Sequence, residues 1–568
     1  MDHSLDEPPP SIPPSTPQSL SREDEADLAL TKTVFSRGAR TLIIGSFLLA
    51  IVAVPLAQLF AERHAASKSP TLPMLSMFKL LPKWDRIRLT RTLHDVNGLL
   101  PRREQTQTVE RELETQSVIA QWLRPKAQSV LTSVLGVGNG QTYLGRDGWL
   151  FFRPDVDSVT GPPFLHPAVL RQRALTNKVQ PDPIKAILDF RDQLAKRGID
   201  LVVLPIPAKP TIDGEMLSAQ IPQGHPLENP SFTEFKLRLQ ERGIQLFDPT
   251  VVLLKQKQLG GGAPLYLQAD THWRPDTMEL IAQAFASELH LQPLAHPPDF
   301  HFTVRDVATG GDITALLNLP PSQNIFPAQH VRIRQVNLGN NAWRPSSDAD
   351  LLLLGDSFSN IFSLQSMGWG ESAGFAEHLS VALGRPIDCI LRNGDGAFAA
   401  RELLSRELAR GHDRLAGKKL VVWEFSAREL ALGDWKIIEM KLNVPPAATF
   451  WTASTGQTKL MSGIVQAISS VPRPGTVPYK DHIMTIHLVD LRDQLGTNSG
   501  TDQSIVCLWS MRDNIWTDAA RLRPGDRITV NLSSWSDVSA QYEKINRSEI
   551  DDPSFRLEEP VWGTLTSP

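Results

Sequence analysis

Cysteine is scarce in this chain, and its scarcity excludes two kinds of small scaffold. Only Cys389 and Cys507 occur among the 568 residues. Their wide separation excludes a local zinc knuckle and a disulfide framework. One long-range disulfide and two unpaired thiols both stay open, and the frequent burial of unpaired cysteine favours the thiols.

An excess of charge of one sign is also lacking, since the formal net charge is -4 at pH 7. That balance gives no electrostatic reason to expect nucleic acid as a partner. No histidines and cysteines cluster at metal-binding spacing, and the glycine run at 260–264 lacks the Lys-Ser/Thr of a phosphate loop. We therefore expect no cofactor and no metal. The hydrophobic content of 41% is typical of a folded chain, and the length predicts two or three domains.

One long hydrophobic run stands out, TLIIGSFLLAIVAVPLAQLF at 41–60, roughly the twenty apolar residues that cross a bilayer as a helix. The preceding segment at 1–40 begins with proline, serine and acidic residues and is predicted to be a disordered cytoplasmic tail. Lys32, Arg37 and Arg40 precede the run and favour this cytoplasmic N-terminus. A signal sequence, cleaved or uncleaved, is the alternative. We expect a single-pass anchor in the inner (cell) membrane, with the rest of the chain periplasmic or otherwise extracytoplasmic.

Alternating helices and strands follow a juxtamembrane and helical segment at 61–135, whose helical pattern is interrupted near Pro125. A tight hairpin turn is predicted at 146–148. Apolar runs of strand length alternate with helical patterns across 136–440, which is typical of a doubly wound α/β domain with a parallel sheet. Short β-type runs separated by turn residues then predict a small all-β domain at 441–568, either an OB-like barrel or a sandwich.

The stretch LLLLGDSFSN at 351–360 carries the first candidate for chemistry. It leads a buried strand directly into Gly355-Asp356-Ser357, and open α/β sheets place their sites beyond the carboxyl ends of their strands. Gly355 permits a sharp turn, the backbone N–H groups after it open toward an oxyanion, and Ser357 presents a hydroxyl for nucleophilic attack. The alternative is that Asp356 or Ser357 only caps the helix that follows.

A nucleophilic serine needs a base, and the base needs an orienting partner. His272 is the best candidate among fourteen histidines, because Asp270 stands two residues before it in YLQADTHWRPD. In an extended segment residues i and i+2 project to the same face, so Asp270 can hold the tautomer of His272 and stabilise its imidazolium. An isolated histidine is more often structural, but each motif here supplies what the other lacks. Together they predict a Ser-His-Asp triad.

GDSF together with DTHW resembles the SGNH-like O-acetyltransferases of bacterial exopolysaccharides, the AlgJ/AlgX group. Three further segments agree with this resemblance: GRDGWLFF at 145–152, LVVLPIPAKPTID at 201–213 and VVWEFSARELALGDW at 421–435. Ordinary SGNH esterases have the serine block first and the histidine block last, whereas the order here is reversed, as in the AlgJ/AlgX group. The resemblance covers about 105–435, and the anchor is similar to that of AlgJ rather than to the secreted AlgX.

The resemblance implies a role for each residue of the triad, with Ser357 as nucleophile, His272 as base and Asp270 as its orienter. SGNH enzymes also use a glycine N–H and an asparagine side chain in the oxyanion hole. Gly355 and Asn393, the latter at a predicted strand end in RNGDGAF, are the matching candidates here. The alternative for Asn393 is an ordinary turn asparagine.

Substrate contacts are less sharply indicated. Arg392 and Arg385 are alternative contacts for an anionic sugar or for the oxyanion, and the choice between them stays open. Lys209 in PAKP is a candidate for meeting a uronate carboxylate, although a solvated lysine is commoner. Tryptophans near apolar runs are usually core residues, but four are candidates for stacking on sugar rings: Trp149, Trp273, Trp369 and Trp435.

These observations predict a membrane-anchored O-acetyltransferase acting on an extracytoplasmic polysaccharide, alginate-like or another exopolysaccharide. Ser357 takes an acetyl group with the help of His272, and a sugar hydroxyl then accepts that group. The family pattern implies a polytopic membrane acyltransferase as the donor, because acetyl-CoA is cytoplasmic. Two alternatives stay open, namely an SGNH esterase that deacetylates polysaccharide and a non-catalytic polysaccharide-binding scaffold of an export complex.

Overall fold

A computed structural model describes most of the chain in two compact units, the first ending at Leu123 and the second beginning at Arg124. Residues 1–35 of the predicted tail at 1–40 and most of the predicted juxtamembrane segment lie outside the described residues. Those described are 36–65, 106, 110 and 117–566, apart from 178, 293, 395, 444–449, 478, 494–501, 543–544, 551–554 and 556–557.

Among the described residues of the first unit is a long helix, α1 (Arg37–Ala65). Its part from Arg37 to Phe60 is 24 residues long and, by length and composition, apolar enough to cross a membrane. A signal sequence near an N-terminus meets the same test. Toward the end of α1, the Gln58 amide donates to Glu62 at 2.6 Å and its oxygen accepts from Ser117 at 2.8 Å.

Helix α2 (Val118–Leu135) contains Pro125 in its interior. The interruption expected at Pro125 is therefore wrong, because a proline removes one backbone hydrogen bond and the other turns still hold the helix. The helices that follow are α3 (Arg153–Thr160), α4 (Pro167–Asn177), α5 (Pro183–Ala195), α6 (Lys209–Ile212), α7 (Gly214–Leu217), α8 (Phe232–Glu241), α9 (Pro249–Leu259), α10 (Pro275–Glu288), α11 (Asp312–Leu316), α12 (Ser357–Asn360), α13 (Phe375–Leu383), α14 (Ala399–Ala409), α15 (Arg428–Leu432) and α16 (Ser539–Tyr542).

The strands fall into four sheets. They are β1 (Thr142–Leu144), β2 (Leu150–Phe152), β3 (Asp200–Ile206), β4 (Gln245–Leu246), β5 (Phe300–Thr309), β6 (Gln329–Leu338), β7 (Asn341–Ala342), β8 (Leu351–Gly355), β9 (Asp388–Leu391), β10 (Leu420–Ser426), β11 (Thr458–Ile468), β12 (His482–Asp493), β13 (Gln503–Arg512), β14 (Ile515–Trp516), β15 (Arg527–Ser534), β16 (Arg547–Ser548) and β17 (Val561–Leu565). The predicted hairpin joins β1 and β2 through Asp147 and Gly148, both at positive φ.

Five strands form a wholly parallel sheet in the order β4-β3-β10-β8-β9. Strand β10 lies at its centre and pairs with β3 on one side and with β8 on the other. Two apolar clusters cover the two faces, which is why these strands are nearly continuous apolar runs in the sequence. The predicted parallel α/β architecture is confirmed. The carboxyl ends of β3, β8, β9 and β10 open on the same edge.

A long hairpin of β5 and β6 is inserted before the serine strand, and the sequence pattern did not reveal it. Apolar and polar side chains alternate from Phe300 to Arg305, but most of β5 is exposed and helix α11 separates it from β6, so no short turn in the sequence marks the pair. The insertion matters for the site, because helix α11 follows β5 directly and carries Asp312 close to the predicted base.

The last part of the chain is a closed barrel of five strands. Strand β13 pairs with β17, then the order runs through β15 and β11 to β12, which pairs back with β13. An apolar cluster fills this barrel. The barrel alternative from the sequence is therefore correct and the sandwich alternative is wrong. Cys507 on β13 is buried, and neither it nor Cys389 forms a disulfide.

Candidate active site

The nucleophile turn begins where β8 ends at Gly355. Asp356 caps helix α12, because its Oδ1 accepts from the backbone N–H of Phe358 at 2.8 Å. Its Oδ2 accepts from the N–H of Ser426 at 2.8 Å, at the end of the neighbouring strand β10. The helix cap is thus Asp356, which leaves the half-buried hydroxyl of Ser357 available for other contacts.

Gly355 stands where a side chain would not fit. A Cβ at this position would lie 2.7 Å from Oε2 of Glu424 and 2.8 Å from Leu391 and Ser359 side-chain atoms. Oε2 of Glu424 accepts hydrogen bonds from the Asp356 N–H at 3.0 Å and from the Ser359 hydroxyl at 2.6 Å. Burial, reinforced by the negative charge of Asp356, raises the pKa of Glu424 well above its ordinary value. Burial therefore favours the neutral form of the carboxyl group that supports the turn.

The three residues of the predicted triad come together in a hydrogen-bonded chain. His272 Nε2 lies 2.9 Å from Ser357 Oγ, and His272 Nδ1 lies 2.7 Å from Asp270 Oδ1. Asp270 and His272 are 1% and 3% exposed, so water does not screen their contact. The backbone N–H of His272 also donates to Asp270 Oδ1 at 3.1 Å. This is the geometry in which the serine proton can pass to Nε2 while the carboxylate holds Nδ1–H.

The pKa shifts of Asp270 and His272 favour an ionised Asp270 and an imidazole that accepts a proton readily. Burial alone would raise the pKa of Asp270, but hydrogen bonds from His272 and Trp369 outweigh it and hold that pKa below its ordinary value. Burial would likewise lower the pKa of His272, but its bond to Asp270 raises that pKa above its ordinary value. Trp369 Nε1 donates to Asp270 Oδ2 at 2.8 Å, a contact that the sequence did not indicate.

Lys209 lies beneath the triad and is completely buried. Its ammonium donates to the carbonyls of Leu150, Gln268 and Asp270 at 2.6, 2.8 and 3.1 Å. Burial lowers the pKa of Lys209 to about 7, against the opposing charges of nearby carboxylates. Neither role weighed from the sequence is correct, because the side chain reaches neither solvent nor a substrate and instead ties the hairpin β1–β2 to the loop of Asp270.

A second charged pair lies beside the site. Arg428, the first residue of α15, donates to Asp155 at 3.0 Å, and its guanidinium lies over the ring of Phe152. Burial raises the pKa of Asp155 even though the Arg428 charge opposes that shift. Because Arg428 follows β10 directly, its positive charge is held at the strand-end edge where the triad lies.

Asn393, the oxyanion candidate, lies at the end of β9 next to the nucleophile helix. Its Oδ1 accepts from Asn360 Nδ2 at 2.8 Å, and its own Nδ2 contacts Met367 Sδ at 3.4 Å. Asn360 is the last residue of α12, three positions after Ser357. The structure therefore places Asn393 beside the helix that begins at Ser357. In addition, the Gly355 carbonyl at the end of β8 accepts from the N–H of Arg392, the residue before Asn393, at 2.9 Å.

Two of the proposed substrate contacts are contradicted. Trp273 is fully buried, its Nε1 donates to the Phe358 carbonyl at 3.2 Å and its ring packs edge-on against Phe358, so it is a core residue. Arg385 pairs with Asp350 at 3.2 Å. Asp350 immediately precedes β8, so this arginine lies at the amino end of the strand, away from Ser357. The other candidates for sugar stacking are buried as well: Trp149, Trp369 and Trp435.

Arg392 lines a cavity of about 260 Å³ between α14 and the barrel. Its guanidinium donates to the Arg547 carbonyl at 3.0 Å. Arg406 of α14 makes a two-pronged ion pair with Glu549, and Arg547 contacts the same carboxylate at 3.3 Å. Charged groups thus connect the barrel region with α14 and with the loop that follows β9. The guanidinium groups of Arg392, Arg406 and Arg547 all line the cavity of about 260 Å³.

One cluster has the donor types of a metal site. Asp270, His272 and Asp312 each offer a ligand atom, and these atoms lie within 4.8 Å of one another. Hydrogen bonds within the protein already engage all three side chains, including the bond from Ser357 to the imidazole. For the described residues we therefore assign this cluster to the hydrogen-bonded triad.

Comparison with known proteins gives one family match. Residues 143–427, half of the chain, match the family described as the SGNH hydrolase-like domain of the acetyltransferase AlgX. A probable alginate O-acetylase AlgJ of Pseudomonas putida is 26% identical over 308 residues, which cover 52% of this chain and 71% of the relative. The protein of the same name from Pseudomonas aeruginosa is 26% identical over 309 residues, with coverage of 52% and 72%.

Two solved structures have a similar chain course. The O-acetyltransferase domain of Pseudomonas putida AlgJ gives a TM-score of 0.38 at 23% identity and covers 51% of this chain and 92% of its own. Pseudomonas aeruginosa AlgX gives a TM-score of 0.37 at 15% identity, with coverage of 69% and 90%.

Proposed function

Because the chain belongs to the AlgX family of SGNH hydrolase-like acetyltransferases, we propose that it transfers acetyl groups to hydroxyls of an extracytoplasmic polysaccharide through an acetyl-serine intermediate. The observation that carries this proposal is the unbroken chain of contacts from Ser357 Oγ through His272 to Asp270. The relatives named alginate O-acetylases support an alginate-like polymer or another exopolysaccharide as the acceptor.

In the first half-reaction, Ser357 Oγ attacks the carbonyl carbon of the donor's acetyl group while its proton passes to His272 Nε2. Asp270 stabilises the imidazolium that forms. The tetrahedral intermediate then collapses, the bond to the leaving group breaks, and His272 returns the proton to that group. The products are the acetyl ester of Ser357 and the free carrier.

In the second half-reaction a sugar hydroxyl takes the place of the departed carrier. His272 Nε2 removes the hydroxyl proton, the sugar oxygen attacks the acetyl carbon, and the bond to Ser357 Oγ breaks as the serine recovers a proton from His272. N–H groups of the turn after Gly355 and the amide of Asn393 are the proposed donors to the oxyanion. Arg392, which lines the cavity beside the barrel, is the proposed contact for an anionic acceptor.

The chain's surroundings are part of the same proposal. Helix α1 serves as a single-pass anchor in the inner membrane, with the catalytic part outside the cytoplasm, and a polytopic membrane acyltransferase supplies the acetyl group. We assign the SGNH-like domain to 136–440 and the β domain to 441–568. The barrel is proposed to be of the OB type, a five-stranded Greek-key barrel that binds oligosaccharides in other proteins.

The test is acetylation of Ser357 by an activated acetyl ester such as p-nitrophenyl acetate, measured by mass spectrometry of the peptide that contains this serine. We expect one acetyl group on Ser357, and a loss of ester turnover of about 10³-fold or more in Ser357→Ala. Ser322→Ala, at an exposed serine, is the matched control and should react normally. An unmodified Ser357 in a folded protein with intact His272 would refute the proposal.

Transfer is separated from hydrolysis by adding acetyl-free polyuronate oligosaccharides to the same reaction. We expect acetylated oligosaccharide to increase at the expense of free acetate as the acceptor concentration rises. Release of acetate alone at every acceptor concentration would instead support the esterase alternative.

A further inference from the structure

Asp312 lies beside the base and is not part of the three-residue chain from Ser357 to Asp270. Its Oδ1 accepts from the backbone N–H of Thr271 at 2.8 Å, and its Oδ2 accepts from the Thr271 hydroxyl at 2.6 Å. Thr271 lies between Asp270 and His272 in the sequence, so the Asp312 carboxylate is hydrogen-bonded to the residue that links those two side chains. Both contacts are largely buried, and the Asp312 side chain is 10% exposed.

The backbone of Asp312 also contacts Asp270 directly. Its N–H donates to Asp270 Oδ2 at 3.0 Å, where Trp369 also donates, so both oxygens of Asp270 have their acceptor capacity used. Asp312 Oδ2 itself lies 3.8 Å from His272 Nδ1, on the side opposite the bond to Ser357. A second carboxyl group therefore faces the imidazole, and in its ionised form it can pair with the protonated ring.

The local sequence forces this approach. Gly311 has φ +80°, and a Cβ there would lie 2.3 Å from the carbonyl oxygen of Ala269, so only glycine lets the chain pass this close to the loop of the triad. Helix α11 then starts at Asp312 and anchors on Ile313 and Leu316, which are fully buried. The motif Gly310-Gly311-Asp312 is the sequence signal for this contact.

We propose that Asp312 is a positioning residue for the acetyl transfer: it fixes the Asp-Thr-His segment through Thr271 and adds a second anion that stabilises the protonated form of His272 in both half-reactions. This inference rests on the proposed function of the triad. Asp312→Asn keeps an oxygen that can accept from the Thr271 N–H but removes the charge. Asp312→Ala removes the hydrogen-bond acceptor as well, so comparing the two variants separates the effect of the charge from that of the hydrogen bonds.

Charged groups of several elements surround Asp312 and His272. Asp270 and His272 lie in the loop before α10, Lys209 at the start of α6 interacts with the Asp312 carboxylate, and Arg428 of α15 and Asp155 of α3 interact with His272. Burial and the charge of Asp270 raise the pKa of Asp312 to about 7, against the charge of His272 and the hydrogen bonds from Thr271.

The experiment measures Ser357-dependent turnover of p-nitrophenyl acetate from pH 5 to 9 in the full-length chain. For Asp312→Asn we expect the acid limb of the profile to move to lower pH by half a unit or more, because the imidazolium loses a stabilising anion. For Asp312→Ala we expect the same shift together with a turnover rate at the plateau that is at least tenfold lower, because Thr271 loses both of its hydrogen bonds to the Asp312 side chain. Asp306→Asn, at an exposed aspartate, is the matched control and should follow the wild type.

A second readout does not depend on turnover. The protonation of His272 is followed by NMR in protein labelled with ¹⁵N-histidine, with His272→Gln used to assign its signals, and the imidazole should titrate at lower pH in Asp312→Asn. Normal Ser357-dependent turnover with profiles and titrations that match the wild type in both variants would overturn the role of Asp312 alone. Turnover that persists in Ser357→Ala, with a shifted titration in Asp312→Asn, would overturn the proposed function and leave the effect on His272 standing.

Discussion

At the scale of single residues, ionisable groups whose burial shifts their pKa surround the proposed nucleophile, Ser357. Glu424, whose pKa is raised, supports the Gly-Asp-Ser turn, and Lys209 supports the loop of His272 through three carbonyls. Neither side chain contacts solvent, so both act on the triad through the backbone that they hold. Their roles predict effects on stability as well as on rate.

Glu424→Gln should alter how stability depends on pH. Because the folded state raises the pKa of Glu424 above its ordinary 4.5, the unfolded chain loses this proton first as pH rises, and wild-type stability falls from about pH 4.5 upward by up to about 1.4 kcal/mol per pH unit. The amide cannot ionise, so the melting temperature of Glu424→Gln relative to wild type should increase from pH 5 to pH 8.

The control for this measurement is Glu371→Gln, at an exposed glutamate, which should keep a constant offset from the wild type. Thermal unfolding followed by circular dichroism gives the melting temperatures. A constant offset for Glu424→Gln across the same pH range would show that Glu424 is ionised in the folded protein.

The sequence located Asp270 and His272 because their contact is local: residues two apart in an extended segment share a face. The role of Lys209 was not predictable in this way, since its three acceptors come from segments about sixty residues away. Trp273 shows the same difficulty, because a tryptophan beside the base in sequence points into the core in the fold. Local pairs follow from the sequence, and contacts between distant segments need the tertiary structure.

At the scale of elements, the turn between β8 and α12 depends on the missing side chain of Gly355. We expect Gly355→Ala to lower the free energy of unfolding by about 1–3 kcal/mol, because its methyl group would overlap buried Glu424, Leu391 and Ser359 atoms. The displaced turn should also slow acetylation of Ser357 by at least tenfold, since the Ser357 to His272 contact depends on its position.

Gly140→Ala provides the matched control, because nothing lies within 4 Å of a Cβ at that glycine. Melting temperature and the rate of Ser357 acetylation are measured on the same preparations. An alanine variant at 355 with the stability and the rate of the control would show that the turn accommodates a methyl group.

Elements buried on both faces were predictable because each of their strands is an apolar run of strand length. The hairpin β5–β6 was not predicted, because helix α11 separates its two strands in the sequence and no short turn joins them. The hairpin also matters for the site, since α11 and Asp312 lie in the connection between its two strands.

At the scale of the whole molecule, the barrel and the parallel sheet are joined by buried charges. Glu549 pairs with Arg406 of α14 and with Arg547 at the start of β16. Burial opposes ionisation of Glu549, but the two guanidinium groups outweigh it and lower its pKa below the ordinary value. The stability that this carboxylate contributes is therefore present above its ordinary pKa and is lost as pH falls.

Glu549→Ala should lower the free energy of unfolding by about 3–5 kcal/mol at pH 7, because it leaves two buried guanidinium groups without their shared partner. Chemical denaturation of the full-length chain measures the change, with Glu371→Ala as the control at an exposed site. A loss no larger than in the control would show that the barrel does not depend on this carboxylate.

The central position of β10 has a consequence for when the protein becomes reactive during its biosynthesis. This strand is the last of the parallel sheet to be synthesised, yet it alone joins β3 to β8. It also supplies Glu424 and the Ser426 N–H, which hold Asp356 beside the nucleophile. A nascent chain that has not yet added β10 lacks these supports, so we expect Ser357 to take its position beside His272 only after β10 has been synthesised.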